Sequence, residues 1–185
     1  MSETSERELV ERCRSGDDEA FRELVDRHKR LVFALISRSV SNPARVEELS
    51  QEVFLRVYRG LPYFRGDSRL ATWIYRIVSN LVYEERRGER LPEISLDETS
   101  ADSDMPRFEP GATDRAFDEV EIRDRLGKAI ARLPLRYQLL VNGHYLDGMR
   151  YEDLAEALQL PMGTVKTHLH RAKRLLRRML ERDLH

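Results

Sequence analysis

Between Leu91 and Thr113 the apolar periodicity that runs through the rest of the chain stops. Pro92, Pro106 and Pro110 stand there among Glu93, Asp97, Glu98, Asp102, Asp104 and Glu109. A segment of this composition buries too little apolar surface to offset the entropy of ordering it, so it reads as a flexible acidic linker. The chain is thereby divided into two small domains, residues 1–90 and 114–185, on a tether of residues 91–113. Fully extended, about two dozen residues reach at most ~80 Å, enough for the two domains to occupy well-separated sites.

Both flanks read as helix throughout, and the fold class expected is all-α. A short helix around Leu9 and Val10 ends at Ser15 and Gly16, and Asp17 or Asp18 caps a second one carrying Phe21, Leu24, Val25, His28, Leu31, Val32, Leu35 and Ile36 at helical spacing. Asn42 before Pro43 restarts the chain as a third helix to about Arg59, with Val46, Leu49, Val53, Phe54 and Val57 on its apolar side. The loop GLPYFRGDSR then leads into a helix from Leu70 to Arg87. After the linker, helices are expected from about Asp114 to Leu133 and from Leu135 to about Leu146, with Pro134 breaking them. No strand-like alternation and no long-period repeat is present.

The stretch from Tyr151 to Leu180 has the outline of a helix-turn-helix. Val165, Leu169, Ala172, Leu176 and Met179 form one apolar stripe, and Lys166, Arg171, Lys173, Arg174, Arg177 and Arg178 make the remainder cationic. Pro161 discourages continuation of the first helix, Gly163 tolerates unusual backbone angles, and Thr164 is placed to cap the second helix. An arbitrary cationic helix is most often a solvated face. Here Ala155, Leu158, Leu160 and Val165 form a compact set where two helices cross, which favours a second helix lying in a DNA major groove.

A net charge of −1 does not oppose this, because positive charge gathers in Arg86 to Arg90 and Lys166 to Arg182 while the linker is acidic. A single cysteine, Cys13, makes no internal disulfide and is expected to pack as a small apolar residue in a reducing cytoplasm. No apolar run is long enough to span a membrane, and the charged N-terminus MSETSERELVERC does not resemble a signal peptide. His168 and His170, two apart on a helix, point in different directions, so neither a metal site nor a cofactor is expected. A nucleophile–base set and a Gly-rich phosphate loop are also missing, so no enzyme is expected.

LSQEVFLRVYR and YFRGDSRLATWIYRIVSNLV, an acidic linker, and then LPLRYQLLV, DGMRYEDLAEAL and GTVKTHLHRAKRLL follow one another in order over almost the whole chain. Together they resemble the bacterial RNA polymerase sigma factors of the extracytoplasmic-function subfamily. The resemblance implies that Glu48, Gln51, Glu52, Phe54 and Leu55 dock on the coiled coil of the polymerase's largest subunit, and that the polymerase's flap region is also a partner. Carboxylates and an amide beside apolar groups suit an Arg-rich partner helix, with Phe54 serving equally well as core. It implies further that Tyr63 to Asn80 recognises and opens the minus-ten promoter element. Phe64 and Trp73, together with Tyr75, offer aromatic faces, Arg65 and Arg76 offer charge, and Ser68, Thr72 and Asn80 can hydrogen-bond bases. Trp73 and Tyr75 are equally good core residues.

The same resemblance makes Lys166, Thr167, His170 and Arg171 the base-facing set of the minus-thirty-five reader, with Lys173, Arg174 and Arg177 on phosphates and Arg150 and Tyr151 holding backbone. It implies core polymerase and promoter DNA as partners, an anti-sigma protein that occludes the polymerase-binding surfaces, and no stable membrane insertion. The chain departs from the family at Gln159, where Gly is common, and at His168, where Arg is usual. Gln159 is therefore expected to sit in a strained backbone conformation or to shift the turn by a residue, and His168 to alter promoter preference. The alternative function is a regulator that binds duplex DNA alone; it gives no reason for the aromatic, Arg-rich stretch from Tyr63 to Asn80. A nucleic-acid enzyme ranks third.

Overall fold

The computed structural model describes residues 3–88 and 119–182, which form helices α1 (Glu3–Arg14), α2 (Asp18–Ser39), α3 (Pro43–Gly60), α4 (Leu70–Gly88), α5 (Glu119–Ala131), α6 (Leu135–Val141), α7 (Tyr151–Ala157) and α8 (Met162–Arg182). No strand occurs among these residues, as the all-α expectation requires. The segment expected to be a linker, residues 91–113, lies outside the described residues, as do the expected first residues of α5, 114–118.

Local chemistry sets the helix ends. Asp17 caps α2 by accepting from Glu19 N at 2.9 Å and Ala20 N at 3.0 Å, and Asn42 caps α3 by accepting from Ala44 N at 3.0 Å, with Pro43 in the first turn. Leu24, Val32, Leu35 and Ile36 of α2 meet Val46, Val53 and Val57 of α3 and Leu70, Ile74 and Val78 of α4 in a dry core. Each such side chain contributes about 1.5–3 kcal/mol on burial. Cys13 is a buried free thiol in the same packing. Behind Pro134, Gln138 donates to Ala131 O at 2.8 Å and Leu133 O at 2.7 Å, which ties the corner between α5 and α6.

The two groups of helices, α1–α4 and α5–α8, pack directly against each other through α4 and α7. Tyr75 of α4 is fully buried there, and its hydroxyl donates to Leu139 O at 2.6 Å. Burial holds that phenol well above its usual pKa. The fit is close enough to require Gly143, where a Cβ would come within 2.5 Å of Leu154 and 2.9 Å of the Tyr75 hydroxyl. Arg38 reaches Asp147 at 3.1 Å across the joint. Burial outweighs Arg38 and raises the Asp147 pKa, so the pair orients the two groups more than it stabilises them. Residues Asn142–Leu146, which include Gly143 and lead into Asp147, form a single π-helical turn.

The turn between α7 and α8 shows how the departure at Gln159 is accommodated. Leu160 N donates to Ala155 O at 2.9 Å and Gln159 N to Glu156 O at 3.3 Å, the paired bonds of a Schellman cap. That cap puts Gln159 at φ 53, in the left-handed region, so the strained alternative holds and the turn is not shifted. Thr164 does not cap α8. The helix begins two residues earlier, at Met162, because the backbone turns helical as soon as Pro161 O accepts from Val165 N at 3.1 Å. Replacing Gln159 by Gly removes a Cβ from a position that disfavours one; we expect urea denaturation to show a gain of about 0.5–1 kcal/mol, the added unfolded-state freedom of Gly offsetting part of the relief.

Candidate nucleic-acid interface

On α8 the buried stripe Val165, Leu169, Ala172 and Leu176 turns the opposite face outward. Lys166, Thr167, His170, Arg171, Lys173 and Arg174 are all exposed on it, so the structure brings the expected base and phosphate contacts onto one open surface. The Thr167 hydroxyl donates to Gly163 O at 2.9 Å, which leaves its oxygen free to accept. His168 belongs to the inner side: it is half-buried, edge-on to Tyr137 with ring centroids 5.2 Å apart. Any effect it has on promoter preference must act through the seating of α8. Arg150 donates to Asp153 at 3.2 Å, and Tyr151 lies against the His144 ring at 4.6 Å.

On α3, Glu48, Gln51 and Leu55 recur every three or four residues and face outward, with Leu55 49% exposed. Glu52, half-buried, is bridged to Arg56 at 2.8 Å, and Arg56 in turn to Glu84 of α4 at 3.0 Å. Phe54 is half-buried and packs on the core, so the apolar part of this face comes from Leu55 and from Tyr58, which is 53% exposed and was not anticipated. Its signal was present in the sequence: Tyr58 lies three residues beyond Leu55 on the same stripe.

The third region begins in the loop before α4. Phe64 is buried and stacks on Trp73 with centroids 5.0 Å apart, while the Trp73 ring closes on Gly60, where a Cβ would come within 2.8 Å. These aromatics, like Tyr75, serve the packing. The aromatic that faces solvent is Tyr63, 83% exposed, beside exposed Arg65 and Gly66. Ser68 is half-buried at the rim and Asn80 is exposed midway along α4. Thr72 is 2% exposed, and its hydroxyl faces Asp153 of α7 at 3.4 Å. Arg76 donates to Glu156 O at 2.9 Å. A cleft of about 780 Å³ lies between α1, this loop and α7, lined among others by Arg14, His28, Arg65, Ser68 and Asp153.

Comparison with known proteins shows the family. Residues 24–91 match Sigma-70 region 2, and residues 123–176 match Sigma-70, region 4. The chain is 30% identical over 181 residues to the ECF RNA polymerase sigma factor SigW of Bacillus subtilis (strain 168), covering 95% of this chain and 96% of SigW. The chain belongs to the extracytoplasmic-function sigma factors. It is 31% identical to the RNA polymerase sigma-H factor of Pseudomonas aeruginosa (98% of this chain, 96% of that one), and 34% identical to the ECF RNA polymerase sigma-E factor of Escherichia coli (strain K12) (89% and 88%). Two solved structures share the fold at 20% identity. One is CnrH in complex with the cytosolic domain of CnrY, with a TM-score of 0.70 over 97% of this chain and 99% of CnrH. The other is RpoE of Bartonella quintana with the anti-sigma factor NepR, with a TM-score of 0.64 over 87% and 96%.

This sigma factor is therefore a transcription initiation factor that serves core RNA polymerase at promoter DNA, and not an enzyme. Among its described residues no helix is long and apolar enough to cross a membrane. Two of its histidines are held below their ordinary pKa. Burial dominates for His28, with Glu6 opposing and Arg27 assisting; at His168 burial is assisted by Arg136 and Arg171. A depressed histidine is neutral in the folded state where the unfolded chain already takes up a proton, so its stability is complete above about pH 6.5 and is lost as the pH falls below it. We expect the urea midpoint to drop between pH 7 and pH 5.5, and the drop to become shallower when His28 and His168 are both replaced by Gln.

Proposed function

We propose that three faces divide the work of initiation. The stripe Glu48, Gln51, Glu52, Leu55 and Tyr58 meets the coiled coil of the polymerase's largest subunit, with Phe54 supporting it from the core. The exposed face of α8 reads the minus-thirty-five element, with Lys166, Thr167, His170 and Arg171 toward bases and Lys173 and Arg174 toward phosphates, and residues 119–182 lie near the polymerase flap. The loop and α4 capture the opened minus-ten element. The observation that carries this reading is the outward, cationic face of α8 above a fully apolar stripe, which is the arrangement a major-groove reader needs.

The packing of Phe64, Trp73 and Tyr75 changes the roles within the minus-ten set. Tyr63 is the aromatic available for a base to stack on, Arg65 and Ser68 flank it, and Phe64 and Trp73 fix the loop from below. Thr72 is covered by α7 and the half-exposed Arg76 is bonded to it, so both are freed for DNA when α5–α8 move off α4. Polymerase provides the force by holding α3 and α8 at separate places. An anti-sigma protein, the kind of partner NepR is to RpoE, would keep the factor inactive. The chain works in the cytoplasm, where polymerase is and where a lone thiol such as Cys13 stays reduced.

Run-off transcription with purified core enzyme tests the division. Glu52→Ala should weaken core association while leaving duplex binding alone. Arg171→Ala should keep core association and lose about tenfold in promoter discrimination, the cost of a lost base contact of ~1–3 kcal/mol. Tyr63→Ala should reduce open-complex formation by a comparable amount at an unchanged affinity for the upstream duplex. If all three behave as wild type, the assignment of faces fails.

The covered state makes its own prediction for the free chain. Tyr75→Phe combined with Arg38→Ala removes two polar contacts of the joint without opening a large cavity. Small-angle scattering should then show a larger radius of gyration, and the free factor should bind single-stranded DNA more tightly than wild type. An unchanged radius with unchanged binding would mean that the joint does not limit access to α4.

A further inference from the structure

The loop from Leu61 to Arg69 is held at both ends by a helix that stands outside the matched region. Sigma-70 region 2 begins at residue 24, whereas α1 ends at Arg14. From α1, the Arg14 guanidinium spreads over the loop's entry: Nε donates to Leu61 O at 3.1 Å and Nη2 donates to Phe64 O. Its remaining nitrogen pairs with Glu11, which steadies the fork. Two helical turns earlier, a carboxylate oxygen of Glu6 accepts from Leu70 N at 2.7 Å. That amide is the first of α4 and has no partner within the helix. Glu6 thus substitutes for a local cap.

We infer that α1 is part of the minus-ten apparatus, with Arg14 and Glu6 as positioning residues that preset the loop carrying Tyr63 and Arg65 to receive an unpaired base. This rests on the reading of that loop as the minus-ten reader. The geometry gives each residue a distinct requirement. Arg14 spans two carbonyls three residues apart, which needs a planar fork with several donors; an ammonium is a single point and cannot reproduce it. Glu6 acts only as an acceptor, which an amide oxygen can replace. A loop already ordered before the base arrives does not lose its freedom at the moment of binding, so losing either anchor weakens capture without removing any contact to DNA.

The sign of the Glu6 effect separates this role from simple electrostatics. Glu6 lines the same cleft as Arg14 and Arg65, and removing a negative charge there should strengthen DNA binding if charge alone mattered. Anchoring requires that removal to weaken it. The experiment uses the full-length factor assembled with core polymerase and a short, labelled, random-sequence single-stranded DNA pool, titrated over a range of salt. Glu6→Ala and Arg14→Ala should each weaken binding by about tenfold, with Glu6→Gln close to wild type and Arg14→Lys as poor as Ala. The salt slope, core affinity and binding of minus-thirty-five duplex should not change.

Tighter or unchanged binding by Glu6→Ala would overturn the inference for Glu6. A salt slope reduced by about one in Arg14→Ala, with rescue by Lys, would make Arg14 a phosphate contact instead. The Gln and Lys variants keep the test decisive if an Ala variant does not fold. If Tyr63→Ala and Arg65→Ala bind the pool as wild type does, the reading of the loop falls and the anchoring role falls with it. Silent anchors beside defective Tyr63→Ala and Arg65→Ala would overturn the anchors alone.

Discussion

Tyr75 joins the two groups of helices through a single buried side chain. Its ring belongs to the α1–α4 core, and its hydroxyl satisfies the Leu139 carbonyl of the other group of helices at 2.6 Å, so one residue is common to both cores. A buried hydrogen bond of this kind contributes only about 0.5–1.5 kcal/mol, whereas leaving its partner unsatisfied costs about 1–3 kcal/mol. The joint is accordingly well suited to specifying one orientation. It is less suited to holding that orientation against a large competing interface. Gly143 matters for the same reason, since a side chain there would displace the phenol.

The closed arrangement also explains how Thr72 and Arg76 of α4 are paired in the absence of DNA. Thr72 and Arg76 are polar residues on a face that would otherwise be exposed or unpaired, and α7 meets them with the Asp153 carboxylate and with a main-chain carbonyl beside the Glu156 carboxylate. Those are anionic and acceptor groups, the same chemistry that a phosphate backbone presents. On the reading proposed above, α7 holds the place of nucleic acid. The exchange of one for the other gives Thr72 and Arg76 new partners of the same kind, and the Arg76 Nε, buried without a partner in the closed form, gains one.

Much of the fold was legible because helix ends have local causes. Asp17, Asn42 with Pro43, and Pro134 each announce a boundary by their own chemistry, and the departure from the family's Gly at Gln159 pointed to strain or a shifted turn, of which the Schellman cap realises the first. The cationic face of α8 was equally legible, since a 3.6-residue period separates its two sides. What periodicity does not reveal is which of several aromatics in a row meets solvent. Phe64, Trp73 and Tyr75 looked available to bases, yet each is taken up by a neighbour that the local pattern does not name: Trp73 by Gly60, Phe64 by Trp73, Tyr75 by Leu139. Tyr63 was left facing outward by elimination, and elimination needs the fold.

The contacts that matter most for the loop are the least local ones. Glu6 and Leu70 are 64 residues apart, as are Tyr75 and Leu139, and Arg14 lies 47 and 50 residues from the two carbonyls it binds. A side chain reaching a backbone atom leaves no complementary residue type to be noticed at the other end, because every residue offers a carbonyl and all but proline an amide. An ion pair at such a distance would at least show as two opposite charges. This is why α1 reads as an ordinary amphipathic helix with a mixed charged face. The role inferred for it emerges only when its charged residues are traced to the backbone groups they satisfy, and those groups belong to the loop proposed to capture the opened strand.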